Sequence, residues 1–119
     1  MNCSEISRYI WVTSEFEAFH RWDKAPSEVA FLRNLHRHLF KVRVEFKVTH
    51  SDRDLEFFIV KKKLSDYIFN FLVPLSRGEQ SMSCEMFAEN IFTFFKSNEY
   101  PVVEVSVSED GENGAIVKG

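Results

Sequence analysis

The chain of 119 residues is 45% hydrophobic and contains 13 phenylalanines, which is enough apolar material for one folded core and excludes the intrinsically disordered class. We therefore expect a single domain over residues 1–119. The net charge of −3 argues against a general nucleic-acid-binding protein and against binding to anionic membranes. The two cysteines, Cys3 and Cys84, are too few for a disulfide framework, so we expect reduced thiols and a cytoplasmic protein. The N-terminal residues lack the regions of a signal peptide, and no apolar run approaches the roughly 20 residues of a membrane span, so neither is expected.

Two strands are predicted in the first half of the chain. Residues 8–19 are rich in aromatic and β-branched side chains, and residues 39–50 alternate cleanly between apolar and charged side chains. The segment 22–34 between them has mixed polarity and contains Pro26, which predicts a loop with a short helical turn. The side chains expected on the apolar face of the second strand are Phe40, Val42, Val44, Phe46 and Val48.

Helical periodicity then replaces strand periodicity. Residues 55–60 could extend a hairpin or lead into the next element. Apolar residues at i, i+3 and i+4 spacing predict a helix over 61–75, which Pro74 should end. The expected buried stripe of this helix is Leu64, Tyr67, Ile68, Phe71 and Leu72. A loop is predicted over 76–82.

A second helix and a hairpin complete the predicted order. Ser83 has the chemistry of an N-cap for a helix over 84–98, with an apolar stripe formed by Phe87, Ile91, Phe94 and Phe95. Residues 101–109 alternate like a strand, 110–114 (DGENG) have turn composition, and 115–119 form a short closing strand. The order strand, strand, helix, helix, strand, strand predicts an α+β fold in which an antiparallel sheet carries two helices on one face.

Three histidines are the candidate metal ligands. His36 and His38 are two residues apart at the start of the second strand, so their side chains should lie on the same face. If the first two strands pair antiparallel, His20 at the end of the first strand reaches the same end of the hairpin. Catalytic zinc commonly takes three protein ligands and leaves a fourth position open. The alternative interpretation of such a histidine pair is a surface or packed position without metal.

The segments around these histidines resemble the 6-pyruvoyltetrahydropterin synthase and 6-carboxytetrahydropterin synthase family. "FEAFHRW" followed by "LHRHLFKVRVEF" is similar to the family's strand ending in F-x-A-x-H-R and its later L-H-G-H strand. "SCEMFAENIFTFF" is similar to the family's second helix, and "VEVSVSEDGENGAIVKG" to its final hairpin. The similarity covers nearly the whole chain in the family's order.

The resemblance implies a T-fold, whose ββααββ subunits assemble into rings (trimers or hexamers) with sites at subunit boundaries. It implies zinc as cofactor, a pterin-like small molecule as substrate, and a place in a pathway such as queuosine biosynthesis. The zinc of such enzymes binds the side-chain hydroxyls of a dihydroneopterin triphosphate and lowers their pKa, which eases lyase-type cleavage or rearrangement. Carried over by position, the zinc ligands are His20, His36 and His38, the acid that clamps the pterin edge is Glu109, and the polar turn that helps to hold the ring is Ser83 and Cys84.

The departures from the family fall on its proton-transfer groups. Leu32 stands at the position of the catalytic cysteine, and neither Cys3 nor Cys84 replaces it there. Arg37 stands between the two histidines in place of glycine, and Val60 in place of an acidic residue. The family's L-D-H motif is missing after the first helix.

Two functional hypotheses follow. In the first, the chain is a zinc-dependent, synthase-like lyase that acts on a dihydroneopterin-type or related pterin and uses the zinc itself or another group, such as Glu28 or Asp23, in place of the cysteine base. In the second, it is a catalytically inactive pterin- or purine-binding protein, or a T-fold scaffold whose histidines only tie the hairpin together. His50 and the lysines at 61–63 are expected to be solvated surface residues.

Overall fold

The computed structural model describes residues 6–77 and 81–119. In chain order, the elements are strand β1 (Arg8–His20), a 3-10 helix (Ser27–Arg33), strand β2 (His36–Val48), helix α1 (Phe57–Tyr67), a π-helical segment (Ile68–Leu72), short helix α2 (Val73–Ser76), helix α3 (Cys84–Ser97), strand β3 (Val102–Glu109) and strand β4 (Asn113–Lys118). The predicted order of strands and helices is confirmed. Cys3 and residues 78–80 of the predicted loop lie outside the described residues.

The four strands form one sheet in the order β1-β2-β3-β4, and every neighbouring pair is antiparallel. The register places His20 opposite His36 and Phe40 opposite Glu109. Consequently the end of β1, the start of β2 and the end of β3 meet at one end of the sheet.

One face of the sheet is apolar and is covered by the helices. The predicted alternation of β2 is confirmed, because Phe40, Val44 and Phe46 are fully buried. The ring of Phe40 packs on two other phenylalanine rings. Its centroid is 5.3 Å from that of Phe16 in β1 and 4.9 Å from that of Phe87 in α3. The helices contribute the fully buried side chains Leu64, Ile68, Leu72, Phe87, Ile91 and Phe95.

The first helix differs from its prediction at both ends. It begins at Phe57 rather than at residue 61, because the Glu56 carboxylate accepts a hydrogen bond from the Ile59 N–H and caps the helix earlier. Val60 is therefore a buried core residue of α1. Pro74 does not end the helix. It follows the π-helical segment, where the Val73 N–H bonds to the Ile68 carbonyl five residues back and the usual four-residue pattern is interrupted.

The π-helical segment also changes which side chains are buried. Phe71, predicted in the core stripe, is 64% exposed, because the wider turn leaves Ile68 and Leu72 facing the sheet and directs Phe71 to solvent. Tyr67 is only partly buried and stacks on Phe94 at 4.1 Å between ring centroids.

Smaller boundary differences affect the strands. β1 extends to His20, β2 runs over His36–Val48 rather than 39–50, and β4 begins at Asn113 rather than at residue 115. The residues added at the end of β1 and at the starts of β2 and β4 continue a hydrogen-bonded ladder beyond the apolar alternation from which the strands were predicted. Thr49 and His50, in contrast, lie beyond the end of β2. Within the described ranges, the chain contains no helix long and apolar enough to cross a membrane.

Candidate functional site

His20, His36 and His38 converge at the end of the sheet where β1, β2 and β3 meet. One ring nitrogen from each lies within 4.8 Å of those of the other two. The ring centroids are 4.4 Å apart for His20–His36, 5.1 Å for His20–His38 and 5.0 Å for His36–His38. His36 and His38 are on the same face of β2 as Phe40, so this cluster is a continuation of the apolar stripe.

Each imidazole is oriented by a hydrogen bond at Nδ1. The acceptors are the Met82 carbonyl for His20 (2.9 Å), the Asn34 carbonyl for His36 (2.8 Å) and the Asp110 carboxylate for His38 (2.7 Å). Oxygens of carbonyls and carboxylates only accept, so Nδ1 carries the proton in all three rings. The lone pair of each neutral ring is then on Nε2, where it is available to a metal. The donor set therefore fits a zinc ion.

Burial favours the neutral form of one of the three histidines, the form that is able to bind a metal. His20 is 8% exposed, and this burial lowers its pKa below the ordinary value of 6.5, with the neighbouring His36 and His38 acting in the same direction. The hydrogen bond to Met82 and the negative charge of Glu109 oppose the shift without reversing it. Because zinc binds the deprotonated imidazole nitrogen, a lowered pKa keeps His20 ready as a ligand near neutral pH.

Glu109 lies directly beside the histidines. Its carboxylate oxygens are 3.7 Å from Nε2 of His20 and 3.5 Å from Nε2 of His38. The last position of β3 carries this side chain on the core face of the sheet, opposite Phe40 of β2. A partly buried carboxylate of this kind can accept two parallel N–H bonds from a planar ligand.

Ser83 and Cys84 come from the other side, at the start of α3. Ser83 is the N-cap, as predicted, since its Oγ accepts a hydrogen bond from the Met86 N–H at 3.2 Å. The Cys84 thiol donates toward Glu109 at a sulfur–oxygen distance of 3.8 Å. Burial raises the pKa of this thiol to about 12, and the negative charge of Glu109 adds to the effect. Cys84 is thus a protonated thiol near neutral pH and is not equipped to act as a base.

A cleft of about 420 Å³ opens beside these groups, within the usual size range of small-molecule sites. Its walls bring the sequence-predicted residues together with others, namely His20, Arg21, Trp22, Leu32, His36, Ser81, Ser83, Cys84, Glu85, Met86 and Glu109. A larger cleft of about 630 Å³ lies elsewhere on the sheet, beside Lys41 and Arg43, but none of the three histidines lines it. The combination of clustered histidines with a carboxylate favours the cleft of about 420 Å³ as the candidate functional site.

The candidate bases named from the sequence are not brought into this cleft. Asp23 is exposed and pairs with Arg21 at 3.2 Å, and Glu28 is exposed on the 3-10 helix. Leu32, in contrast, lines the cleft, so a side chain without an ionisable group faces the site from the position that resembles the family's cysteine.

Sequence reasoning missed two contributors to the site. Asp110, assigned only to a turn, accepts the hydrogen bond from His38, and Trp22, assigned to a loop, forms part of the cleft wall. Asp110 directly follows Glu109, and an acid next to a proposed ligand-binding acid is the signal that could have identified it. Arg37 lies on the opposite face of β2, as predicted, and pairs with Glu17. His50 is exposed in the loop after β2, also as predicted.

Known structures share this architecture. The 6-pyruvoyl tetrahydropterin synthase of Caenorhabditis elegans superimposes with a TM-score of 0.72 at 18% sequence identity, over 96% of this chain and 96% of that chain. An uncharacterized protein from Wolinella succinogenes superimposes with a TM-score of 0.66 at 14% identity, over 97% and 99% of the two chains. No protein-family model matches the sequence, and no curated protein does. The comparisons therefore establish the fold, a T-fold like that of 6-pyruvoyl tetrahydropterin synthase, and confirm that expectation from the sequence.

Proposed function

We propose that this protein is a zinc-dependent enzyme of the 6-pyruvoyl- or 6-carboxytetrahydropterin synthase type, a lyase acting on a dihydroneopterin-type or related pterin. The observation that carries the proposal is the convergence of three imidazoles whose Nδ1 atoms are all hydrogen-bonded to oxygen acceptors. A group of packed or surface histidines has no need for three matching tautomers. The adjoining cleft and Glu109 support a small planar ligand at the same place.

In this proposal the chain's residues have separate tasks. His20, His36 and His38 would hold the zinc, and a bound zinc would supply Lewis-acid chemistry at substrate oxygens. Glu109 accepts N–H bonds from the amidine-like edge of the ring and so orients the substrate in the cleft. The Ser83 hydroxyl, whose oxygen already accepts from Met86, retains its proton for donation to a ring acceptor.

A second candidate function is favoured by a specific observation. Leu32 lines the cleft at the position where the resemblance places a base, and Asp23 and Glu28 are not part of the cleft lining. A protein that binds a pterin or purine-like ring without converting it, or a scaffold that uses zinc only to fasten β1 to β2, would have the same groups. Both candidates predict zinc binding, so zinc binding does not distinguish them. Conversion of the substrate to a product does.

The decisive experiment incubates the zinc-loaded full-length protein with 7,8-dihydroneopterin triphosphate and identifies products by mass spectrometry. His36→Ala removes a proposed ligand, and His50→Ala is the matched control, because His50 is exposed in a loop outside the site. A product formed by the wild type and by His50→Ala, but not by His36→Ala, supports the zinc enzyme. Zinc and pterin binding without product supports the binding protein, and absence of zinc binding refutes both the enzyme and the zinc scaffold.

The proposal also includes a cytoplasmic homo-oligomer, a trimer or hexamer. Among the described residues, β1 and β4 form the two outer strands of the sheet and are each paired on one side only. Trp11 and Phe19 on β1 expose 54% and 45% of their surface. Open strand edges with exposed aromatic side chains are suited to pairing with another copy. Light scattering on the purified protein tests this part, and a monomer at micromolar concentration would refute it.

A further inference from the structure

We infer that Asp110 is a positioning residue for the metal centre, whose carboxylate fixes the ring of His38 and thereby strengthens zinc binding. The inference deepens the proposed function and rests on it, because it assumes that zinc is held by the three histidines. The side chain of Asp110 is 46% exposed. Its carboxylate binds Nδ1 of His38, whereas zinc is proposed to bind Nε2 on the other side of the ring. Asp110 is therefore proposed to act on the metal only by orienting His38.

The carboxylate of Asp110 is fixed by two separate donors. Its Oδ2 accepts from Nδ1 of His38 at 2.7 Å, and its Oδ1 accepts from the Leu39 N–H at 2.9 Å. The Asp110 N–H in turn donates to the Leu39 carbonyl at 2.7 Å. Three hydrogen bonds therefore tie the residue to two consecutive positions of β2, and the imidazole is held in one orientation.

His38 differs from the other two ligands in the charge of its acceptor. His20 and His36 are oriented by neutral backbone carbonyls, which no side-chain substitution removes. His38 is oriented by an anion, and a carboxylate on the outer nitrogen of a histidine ligand increases the electron density available to the metal. Of the three ligands, His38 is thus the one whose strength depends on a substitutable side chain.

The conformation of Asp110 decides which variants test the inference. Its φ of 56° lies in the left-handed region, where alanine is strained, whereas asparagine and glycine are tolerated. Asp110→Asn keeps the shape but has one acceptor oxygen instead of two, so it loses either the bond to His38 or the bond to Leu39. Asp110→Gly removes both bonds without imposing strain on the turn.

Asp54 supplies a matched control in the same chain. Its carboxylate also accepts a backbone N–H bond, from Thr49 at 2.7 Å, and it also lies beside a histidine, 3.6 Å from Nε2 of His50. His50 is not among the clustered histidines. Asp54→Asn therefore disturbs a comparable carboxylate near a comparable ring but leaves the proposed metal ligands unchanged.

The test measures the zinc dissociation constant of the full-length protein by competition with a chromophoric chelator, together with the urea midpoint of each metal-free variant. We expect zinc affinity to fall about 10- to 100-fold in Asp110→Gly and less in Asp110→Asn, with Asp54→Asn unchanged. An affinity of Asp110→Gly within about twofold of wild type overturns the inference while leaving the proposed function intact. If Asp54→Asn loses as much zinc affinity as Asp110→Gly, and both losses follow the fall in urea midpoint, the effect is one of general stability and the inference is overturned. If the wild-type protein binds no zinc, the proposed function is refuted, and the inference that rests on it is refuted with it.

Discussion

The role proposed for Glu109 can be tested by replacing it with glutamine, which preserves size and removes the charge. The ring edge that Glu109 is proposed to bind presents two N–H donors, and a carboxylate accepts both. Glutamine offers one acceptor oxygen, and its amide group places a donor against the second N–H. Glu109→Gln should therefore lose one charge-assisted hydrogen bond and keep the other.

The expected magnitude follows from that single bond. A hydrogen bond to a charged group contributes about 1.5–3 kcal/mol, which corresponds to about 10- to 150-fold in the dissociation constant. Glu109→Ala removes both bonds and should weaken ring binding about 100-fold or more on the same scale. Both variants should retain zinc, because the three histidines are oriented by Met82, Asn34 and Asp110 rather than by Glu109.

Isothermal titration calorimetry with a reduced pterin gives the dissociation constant, and zinc content is measured on the same samples. Glu112→Gln is the matched control, since Glu112 is an exposed glutamate on the same β3–β4 hairpin. If Glu109→Gln binds the pterin within about threefold of wild type, Glu109 is not the ring acceptor. If the Glu109 variants lose zinc as well as the ring, the carboxylate near Nε2 of His20 and His38 has a role at the metal instead.

Four further predictions address the metal, the pH dependence, the thiol and the core. His36→Ala should lose zinc in a chelator competition assay, because two imidazoles remain of the three that converge, and full zinc retention would contradict the site. Because burial lowers the pKa of His20, the unfolded chain binds a proton there at higher pH than the folded protein, so the metal-free protein should lose stability as the pH falls below the unfolded value of 6.5; urea midpoints that do not change between pH 8 and pH 6 would contradict this. In a Cys3→Ser background, Cys84 should be alkylated more slowly in the folded than in the denatured protein, because burial raises its pKa from 9.0 to about 12 and so lowers its thiolate fraction; equal alkylation rates in the two states would contradict this. Leu64→Ala should lower the free energy of unfolding by about 2–5 kcal/mol, since Leu64 is fully buried, and a loss under about 1 kcal/mol in urea denaturation would refute its place in the core.

The strands and the faces on which their side chains lie could be predicted from the sequence because alternation is a local signal. Side chains of β2 alternate between faces over 13 residues, so the positions of Phe40 and Val44 in the core and of Arg37 on the outer face followed from their parity. The N-cap at Ser83 was also local, since the hydroxyl acts on an N–H three residues away. The first helix was harder, because its start depends on the Glu56 cap and its burial pattern on a π-helical segment for which periodicity gave no warning.

The site shows the same division between local and long-range information. The pairing of His36 with His38 was visible as an i, i+2 spacing, and His20 was placed by assuming one antiparallel pair. The acceptor that orients His38 lies 72 residues away in sequence, on a turn whose composition indicated only a change of direction. The cleft wall likewise combines Leu32, Ser83 and Glu109 from three separate elements, and only tertiary packing brings them together.

The histidines lie at the end of the core, so the same face of β2 carries both buried core side chains and the proposed metal ligands. Going toward its start, the core face of β2 runs from Phe46 through Phe40 to His38 and His36, so the stripe changes from phenylalanine to imidazole without leaving that face. Imidazole rings pack against aromatic neighbours, as His20 does on Phe40 at 5.4 Å, and still offer a lone pair at Nε2. Packing on the core lowers the pKa of His20, and Nδ1 hydrogen bonds to oxygens of neighbouring loops set the tautomer. A metal site of this kind would need little beyond the alternation that builds the sheet, and the proposed zinc binding is therefore compatible with the leucine at position 32 of the cleft.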